Sequence, residues 1–280
     1  MTKPIRLNFF RSSSGKLNFG DELSPEIVKY VSRRKVEKAT KNKYDLIAIG
    51  SILESEIKYF KKYYNYVRAT LNSPVYVWGS GLILEKSTGK PTFQTLALRG
   101  KLTKYNLGIK QAADIAMGDP ALFVNDMMRL KPKRSGIGIV PHYSDKTHPI
   151  INNLKNIKNV KVIDVERCGS EVCHDIASCD FIVSSSLHGL VVADSFRIPN
   201  YRIKLFDNLK GGDFKFRDYA SALKRKNINK VEISTPEKLM NIKNFETDFN
   251  YQSNIDDICS KLERALKEFF WNQIWIWVTE

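Results

Sequence analysis

The hydrophobic pattern of the chain alternates between short apolar runs and longer stretches with helical spacing. Several of the runs are continuous rather than alternating, which is typical of strands buried on both faces of a parallel sheet. They predict strands at Ile5–Phe10, Tyr44–Ile49, Val75–Trp78, Thr95–Leu98, Gly136–Val140, Val160–Val165, Phe181–Ser184 and Tyr201–Leu205. Helices are predicted at Pro25–Arg34, Gly189–Phe196 and Ile255–Phe270. This order of strands and helices indicates an α/β protein.

A polar, basic segment near the middle of the chain divides this pattern. The segment runs from Arg129 to Gly136, contains Pro132, and leads directly into a predicted strand. Because proline and glycine interrupt regular structure, we interpret it as an interdomain linker. Two Rossmann-like domains are then expected, over residues 1–130 and 131–280, with a cleft between them.

The predicted C-terminal helix is amphipathic and ends in an aromatic tail. Its apolar residues recur at spacings of three and four and form one face; they are Ile255, Ile258, Leu262, Leu266 and Phe269. One interpretation is that the helix packs back on the N-terminal domain. The alternative is contact with an anionic membrane, because tryptophan favours the headgroup region and basic residues lie nearby.

Composition and charge limit the function classes. The chain has 280 residues, 42% of them hydrophobic, and a formal charge of +15. That composition is too apolar for a disordered chain. The basic residues are spread along the chain, so a nucleic-acid binder stays only an alternative. No apolar run is long enough to span a bilayer and the first residues do not resemble a signal peptide, so we expect a cytoplasmic protein. Peripheral attachment to the inner face of the plasma membrane remains open.

The most informative candidate site follows the predicted strand Phe181–Ser184. Ser185, Ser186, His188 and Gly189 lie where that strand gives way to an apolar helix. Ligands of open α/β sheets bind at the carboxyl ends of strands, and a helix N-terminus there presents free N–H groups to an anion. His188 titrates near neutral pH in its ordinary state, so we expect it to be functional.

Other chemically useful residues also follow predicted strands. Asn18, Gly20 and Asp21 form a polar turn, although these residue types also favour turns that have no other role. Arg99 follows one strand and is suited to binding phosphate or carboxylate. His142 and Tyr143 follow another strand. Asp119 lies in a turn, and Lys215 lies in a glycine-led loop; the full set is Asn18, Gly20, Asp21, Arg99, Asp119, His142, Tyr143 and Lys215.

A metal site is not predicted. Cys168, Cys173, His174 and Cys179 are close in sequence, but their spacing lacks the paired cysteines that are usual in zinc sites. We expect reduced thiols.

Taken together, the motifs resemble those of the polysaccharide pyruvyl transferase family. The matching pieces occur in order along nearly the whole chain: Asn18-Phe-Gly-Asp21, Gly79-Ser-Gly81, Arg99-Gly100, Gly118-Asp-Pro120, Pro141-His-Tyr143, Ser185-Ser-Leu-His-Gly189, Ile198-Pro199 and Lys215-Phe-Arg-Asp-Tyr219. Many relatives have arginine directly before Leu-His, whereas this chain has Ser186, which resembles the exopolysaccharide branch that forms pyruvate ketals.

The resemblance implies a fold similar to the GT-B glycosyltransferases. It also implies transfer of pyruvate from phosphoenolpyruvate, as co-substrate and without a further cofactor, to a sugar of a surface polysaccharide. The sugar could be carried on undecaprenyl diphosphate at the membrane. A GT-B glycosyltransferase that uses nucleotide sugars is the first alternative.

Roles for the candidate residues follow from this resemblance. His188 is expected to act as general acid or base or to bind phosphate, while Arg99 and Lys215 hold the donor. Ser185, Ser186 and Gly189 are expected to assist at the helix N-terminus. The acceptor sugar is expected to contact Asn18, Gly20, Asp21, Asp119, His142 and Tyr143, with Asp21 as its base.

Overall fold

The protein is described by a computed structural model. It describes residues 3–10, 17–39, 43–57, 59–71, 74–85, 92–110, 112, 114–205, 211–226, 228, 230–231, 235, 238–239 and 249–278.

Strands and helices alternate along most of the chain. The strands are β1 (Ile5–Asn8), β2 (Val36–Lys38), β3 (Leu46–Ile47), β4 (Tyr76–Trp78), β5 (Gln94–Leu98), β6 (Ala116–Met117), β7 (Ile137–Val140), β8 (Val160–Val162), β9 (Phe181–Ser184), β10 (Asn200–Ile203) and β11 (Lys230–Val231). The α-helices are α1 (Phe19–Ser32), α2 (Leu53–Ile57), α3 (Tyr59–Thr70), α4 (Lys101–Asn106), α5 (Val124–Met128), α6 (Pro149–Leu154), α7 (Gly169–Ala177), α8 (Leu187–Ser195), α9 (Phe214–Leu223) and α10 (Ile255–Val278). Short 3₁₀ helices lie at Pro120–Phe123, Tyr143–Asp145 and Asn250–Asn254.

The strands form two sheets in which each described pair is parallel. The first sheet has the order β2-β1-β3-β4-β5-β6, and the second has the order β11-β10-β9-β7-β8. Strands β7 and β9 are buried along their whole length, which explains their continuous apolar sequences. The predicted α/β class is therefore confirmed. The first sheet ends at Met117 and the second begins at Ile137, so the predicted linker lies between them, but the domain boundary at residue 130 stays a prediction.

The first helix differs from the prediction. It begins at Phe19 rather than at Pro25, so Gly20 and Asp21 lie in its first turn and not in a loop. The carbonyl of Asn18 accepts the N–H groups of Asp21 and Glu22, which opens the helix six residues before Pro25. Pro25 lies in the second turn, where its ring nitrogen cannot donate to the carbonyl oxygen of Asp21.

The C-terminal helix packs against the first sheet. The indole Nε1 of Trp78 in β4 donates to the carbonyl oxygen of Leu262 at 2.9 Å, and the rings of Tyr76 and Phe269 lie 3.9 Å apart. Ile258 and Leu266 are buried in the same core. The side chains after Phe270 lie outside the described residues, so the predicted membrane contact of the aromatic tail stays a prediction. None of the described helices combines the length and apolar character needed to cross a bilayer.

Candidate functional site

Carboxyl ends of strands from both sheets meet at the candidate site. The first sheet supplies side chains that follow β1, β5 and β6, and the second supplies side chains that follow β7 and β9. The residues brought together are Asn18, Gly20, Asp21, Arg99, Asp119, His142, Ser185, Ser186, His188 and Lys215, the last from α9. Since parallel strands end at one edge of a sheet, the order of strand and helix accounts for this convergence.

His188 lies in the first turn of α8 and contacts the start of α1. Its ring packs edge-on against Phe19, with the ring centres 6.4 Å apart. A Cβ atom added to Gly20 would lie 1.9 Å from His188 Nδ1, so only glycine leaves room for this ring. Burial and the positive charges of Lys215 and Arg99 lower the pKa of His188 to about 3. The imidazole is therefore neutral at neutral pH.

Asp21 is a buried carboxyl group in the first turn of α1. Asn18 Nδ2 donates to its Oδ2 at 2.7 Å. Burial raises the pKa of Asp21 to about 7, although the charge of Lys215 acts in the opposite direction. Asp21 is therefore poised to hold or release a proton near neutral pH, which is a property of general acids and bases.

Lys215 supplies an amino group to the site from the first turn of α9. Its residue is 8% exposed, and the ammonium lies 5.3 Å from the centre of the Phe216 ring. Burial, together with the charges of Arg99 and Arg202, lowers the pKa of Lys215 to about 8. No carboxylate of the described residues forms a salt bridge or hydrogen bond with it. A largely buried cation without an ion-pair partner is suited to bind an anion.

Arg99 is already engaged within the protein. Its Nε donates to Asp218 Oδ2 at 2.9 Å, and its two terminal nitrogens donate to Ser51 Oγ and to the carbonyl oxygen of Leu82. The residue is 1% exposed. Gly81 makes room for the guanidinium, because a Cβ atom there would lie 2.4 Å from Arg99 Cζ. No sequence pattern predicted this pairing, and donor binding by Arg99 stays a prediction.

His142 and its neighbours form the wall of the site at the end of β7. The backbone N–H of His142 donates to Ser185 Oγ at 2.9 Å, so this hydroxyl supports the backbone. His142 Nδ1 lies 2.7 Å from Ser144 Oγ. Burial and the charge of Lys215 lower the pKa of His142 to about 4. Tyr143 is exposed and its ring lies 4.2 Å from that of His142.

The serine segment and Gly189 shape the N-terminus of α8. Ser186 occupies the position before the helix, and its side chain does not cap the helix. Its backbone N–H instead donates to Ser184 Oγ at 3.0 Å. A Cβ atom at Gly189 would lie 2.3 Å from the same oxygen and 2.8 Å from Val140, so Gly189 permits close packing of α8 on the sheet. Donor binding by Ser186 and Gly189 stays a prediction.

Asp119 is buried and caps the turn in which it lies, and the predicted contact with the acceptor stays a prediction. It is 1% exposed, and its Oδ1 accepts the backbone N–H of Ala121 at 3.0 Å, which caps the 3₁₀ helix that begins at Pro120. Its Oδ2 lies 3.9 Å from His188 Nε2. Burial raises the pKa of Asp119 to about 6.

Three further charged residues near the site were missed by the sequence analysis. Asp218 pairs with Arg99, and Asp145 is buried close enough to Lys215 to raise its pKa. Arg202 lies over the Phe216 ring and donates to Asp213. Asp145 could have been found because it follows the same strand as His142. Arg202 lies inside a strand, where no pattern distinguishes it.

The cysteines do not form a ligand set. Cys168 is exposed, whereas Cys173 and Cys179 are buried, where burial raises the thiol pKa. Among the described residues, no group of three His, Cys, Asp or Glu side chains is arranged to hold a metal ion.

Comparison with known proteins identifies the family of this chain. The family model described as Polysaccharide pyruvyl transferase matches residues 8–204, which is more than half of the chain. The chain belongs to the polysaccharide pyruvyl transferase family. The matched residues include all the candidate site residues except Lys215. The resemblance identified from sequence motifs is therefore confirmed.

Two curated proteins and one solved structure are similar to this pyruvyl transferase family member. Uncharacterized protein L143 of Acanthamoeba polyphaga mimivirus is 31% identical over 165 residues, covering 55% of this chain and 57% of that protein. The succinoglycan biosynthesis protein ExoV of Rhizobium meliloti (strain 1021) is 27% identical over 151 residues, covering 52% and 45%. The matches thus span about half the length of these relatives. A UDP-GlcNAc 2-epimerase of Methanocaldococcus jannaschii, solved with UDP-GlcNAc and UDP, gives a TM-score of 0.45 at 10% identity, covering 92% of this chain and 83% of that chain.

Proposed function

We propose that this protein transfers pyruvate from phosphoenolpyruvate to a sugar of a surface polysaccharide or its precursor, forming a pyruvate ketal. Family membership supports pyruvyl transfer, and the similarity to a succinoglycan biosynthesis protein supports a polysaccharide acceptor. The donor, the ketal product and a lipid-linked form of the acceptor are parts of the proposal.

The observation that carries the choice of donor is the ammonium of Lys215. It is largely buried, has no ion-pair partner among the described residues, and lies near the N-terminus of α8 and the guanidiniums of Arg99 and Arg202. Phosphoenolpyruvate carries a phosphate and a carboxylate. An ammonium and a helix N-terminus are the groups that proteins use for such anions.

The perturbed pKa values favour distinct roles for Asp21 and His188. Asp21, with a pKa of about 7, retains a proton in part of the molecules at neutral pH and acts as the acid that protonates the methylene carbon of phosphoenolpyruvate. His188 is neutral and acts as the base toward the sugar hydroxyl. Environments that separate the pKa values of neighbouring groups are characteristic of acid–base pairs. This reverses the role given to Asp21 from the sequence.

The proposed reaction balances protons and bonds. The methylene carbon gains one proton from Asp21, and C2 becomes open to attack by the first sugar hydroxyl, whose proton passes to His188. The C2–O bond to phosphate breaks, and the second hydroxyl bonds to C2 and releases its own proton. One of the two released protons restores Asp21 and the other leaves with phosphate. Lys215 stabilises the departing phosphate by its positive charge.

The test combines donor binding with product analysis. The protein is incubated with phosphoenolpyruvate and candidate glycans, free or linked to a polyprenyl diphosphate, and the products are analysed by mass spectrometry and a phosphate assay. We expect a glycan that gains one pyruvate ketal and equimolar phosphate. Thermal stabilisation by phosphoenolpyruvate is expected in the wild type and in Lys226→Met, whose lysine is exposed, but not in Lys215→Met. Stabilisation by UDP-sugars and not by phosphoenolpyruvate would contradict the proposal.

A further inference from the structure

Two unpaired polar atoms face each other inside the site. His188 Nε2 and Asp119 Oδ2 are both fully enclosed and have no hydrogen-bond partner among the described residues. The distance between them is 3.9 Å. Buried polar atoms are rarely left unpaired, and hydrogen bonds of catalytic groups are often long before substrate binds. An approach of about 1 Å would bring the two atoms to hydrogen-bond distance.

The other atoms of the two side chains already have separate tasks. Asp119 Oδ1 accepts the N–H of Ala121, which leaves only Oδ2 for His188. On the imidazole, Nδ1 lies beside Gly20, and it is not among the enclosed, unpaired atoms of the described residues. The ring therefore has Nε2 toward the carboxylate and Nδ1 beside Gly20, where Nδ1 is not one of the enclosed, unpaired atoms.

Hydrogen bonds hold the two elements that carry the pair. Ser195 Oγ, in the last turn of α8, donates to the carbonyl oxygen of Leu122 at 2.8 Å and accepts the N–H of Asn125 at 2.8 Å. These bonds fix α8 against the 3₁₀ helix that Asp119 caps. The 3.9 Å separation is thus set by packing between the segment after β6 and the helix after β9, and not by a surface side chain.

We propose that Asp119 is the positioning residue of His188: its Oδ2 accepts a hydrogen bond from Nε2–H, so that Nδ1 carries the lone pair that receives the proton of the acceptor hydroxyl. Asp119 was expected from the sequence to contact the acceptor sugar, so this assigns it a different task. Only the part of this proposal that concerns the acceptor hydroxyl rests on the proposed function. The tautomer itself is a property of the protein alone. A carboxylate that orients a histidine in this way also stabilises the imidazolium formed during proton transfer.

The test replaces the Asp119 carboxylate with an amide, whose oxygen accepts hydrogen bonds and whose nitrogen donates them. In Asp119→Asn the side-chain oxygen can still accept the N–H of Ala121, which places the NH₂ group opposite Nε2. An amide donor there requires a lone pair on Nε2 and moves the ring proton to Nδ1. Asp119→Ala removes both the carboxylate and the helix cap, so comparison of the two variants separates a capping effect from the proposed one.

The tautomer is read by ¹⁵N NMR of the imidazole nitrogens, with His188→Gln used for assignment among the four histidines. We expect a protonated Nε2 in the wild type and a protonated Nδ1 in Asp119→Asn. A wild-type ring protonated at Nδ1, or the same tautomer in both proteins, would overturn the proposal. This result does not depend on phosphoenolpyruvate or on the acceptor.

Kinetics supply the second readout. Asp119→Asn is expected to lower kcat for pyruvyl transfer by about a hundredfold or more with little change in KM for the donor, because the lone pair is on the wrong nitrogen. Retention of at least half the wild-type kcat would also overturn the proposal. If the tautomer changes but the wild type transfers no pyruvate, the proposed function fails and the pairing of Asp119 with His188 stands.

Discussion

The ion pair between Arg99 and Asp218 gives the sharpest prediction for stability. Asp218 lies in α9 and Arg99 follows β5, so the pair joins the second half of the chain to the first sheet. The two side chains are 0% and 1% exposed. We consider the substitution Asp218→Ala, which removes the carboxylate and leaves the guanidinium in place.

The expected loss of stability follows from the hydrogen bonds that the Asp218 carboxylate accepts. Besides Arg99 Nε, it accepts the N–H of Thr103 at 2.8 Å and the hydroxyl of Thr103 at 2.6 Å. Removing one partner of a buried pair costs about 3–5 kcal/mol, because the remaining charge has no counter-charge. The hydrogen bonds that Arg99 keeps with Ser51 and Leu82 do not replace it. We therefore expect a loss of about 4 kcal/mol in the free energy of unfolding.

The assay is urea unfolding followed by circular dichroism and by tryptophan fluorescence. Coincident transitions justify a two-state free energy, and the midpoint gives the difference between variants. The double variant Arg99→Met/Asp218→Leu removes both charges and is expected to be more stable than Asp218→Ala, because no unpaired charge remains. A loss below about 1 kcal/mol in Asp218→Ala, or a double variant that is no more stable than it, would refute the reasoning.

Three further predictions follow from the site. Gly20→Ala places a Cβ atom 1.9 Å from His188 Nδ1, so we expect a large loss of activity with a folded protein by circular dichroism; Gly169→Ala, where the nearest atom is 3.4 Å away, is the control and should retain activity. Because burial raises the pKa of Asp21 to about 7, wild-type stability should fall as pH rises from about 4 to 7, when the folded protein must lose a proton that the unfolded chain lost earlier. Asp21→Asn lacks this titration. Its free energy of unfolding, measured with urea, should therefore rise relative to that of the wild type by on the order of 2–4 kcal/mol between pH 4 and pH 8. A difference between the two proteins that does not change with pH would contradict the raised pKa of Asp21. Lys215, with a pKa of about 8, should take up a fraction of a proton when phosphoenolpyruvate binds at pH 8, and calorimetry in buffers of different ionisation enthalpy should detect it; buffer-independent heats would argue against Lys215 as the anion ligand.

The strand pattern was predictable because the buried strands are distinctive in sequence. All eight predicted strands occur, with ends shifted by a few residues. Among the described residues, three strands were missed, and all are short: Val36–Lys38 is partly exposed and charged, while Ala116–Met117 and Lys230–Val231 have two residues each. Their pairing depends on neighbours in the sheet and not on a hydrophobic run. The early start of α1 was missed for a similar reason, since a backbone carbonyl rather than a capping side chain opens it.

For the site, the sequence could indicate which residues converge but not how they are paired. His188, Asp21 and Lys215 follow strands or begin helices, so their convergence follows from topology. That Arg99 is bonded to Asp218, 119 residues away, depends on packing between α9 and the end of β5. The pKa values also depend on burial, which the sequence does not give for single polar residues.

The electrostatics of the site show why the net charge of +15 does not describe the charge available to a ligand there. Arg99 is paired with Asp218, and one terminal nitrogen of Arg202 donates to Asp213, whereas its other two nitrogens have no hydrogen-bond partner among the described residues. His188 is neutral at neutral pH because of its lowered pKa. Among the described residues at the site, the ammonium of Lys215 is the cation without a carboxylate partner, and its field is joined by that of the α8 N-terminus. The anion binding that we propose would therefore depend on this side chain and this helix end, because water and salt screen the many surface lysines.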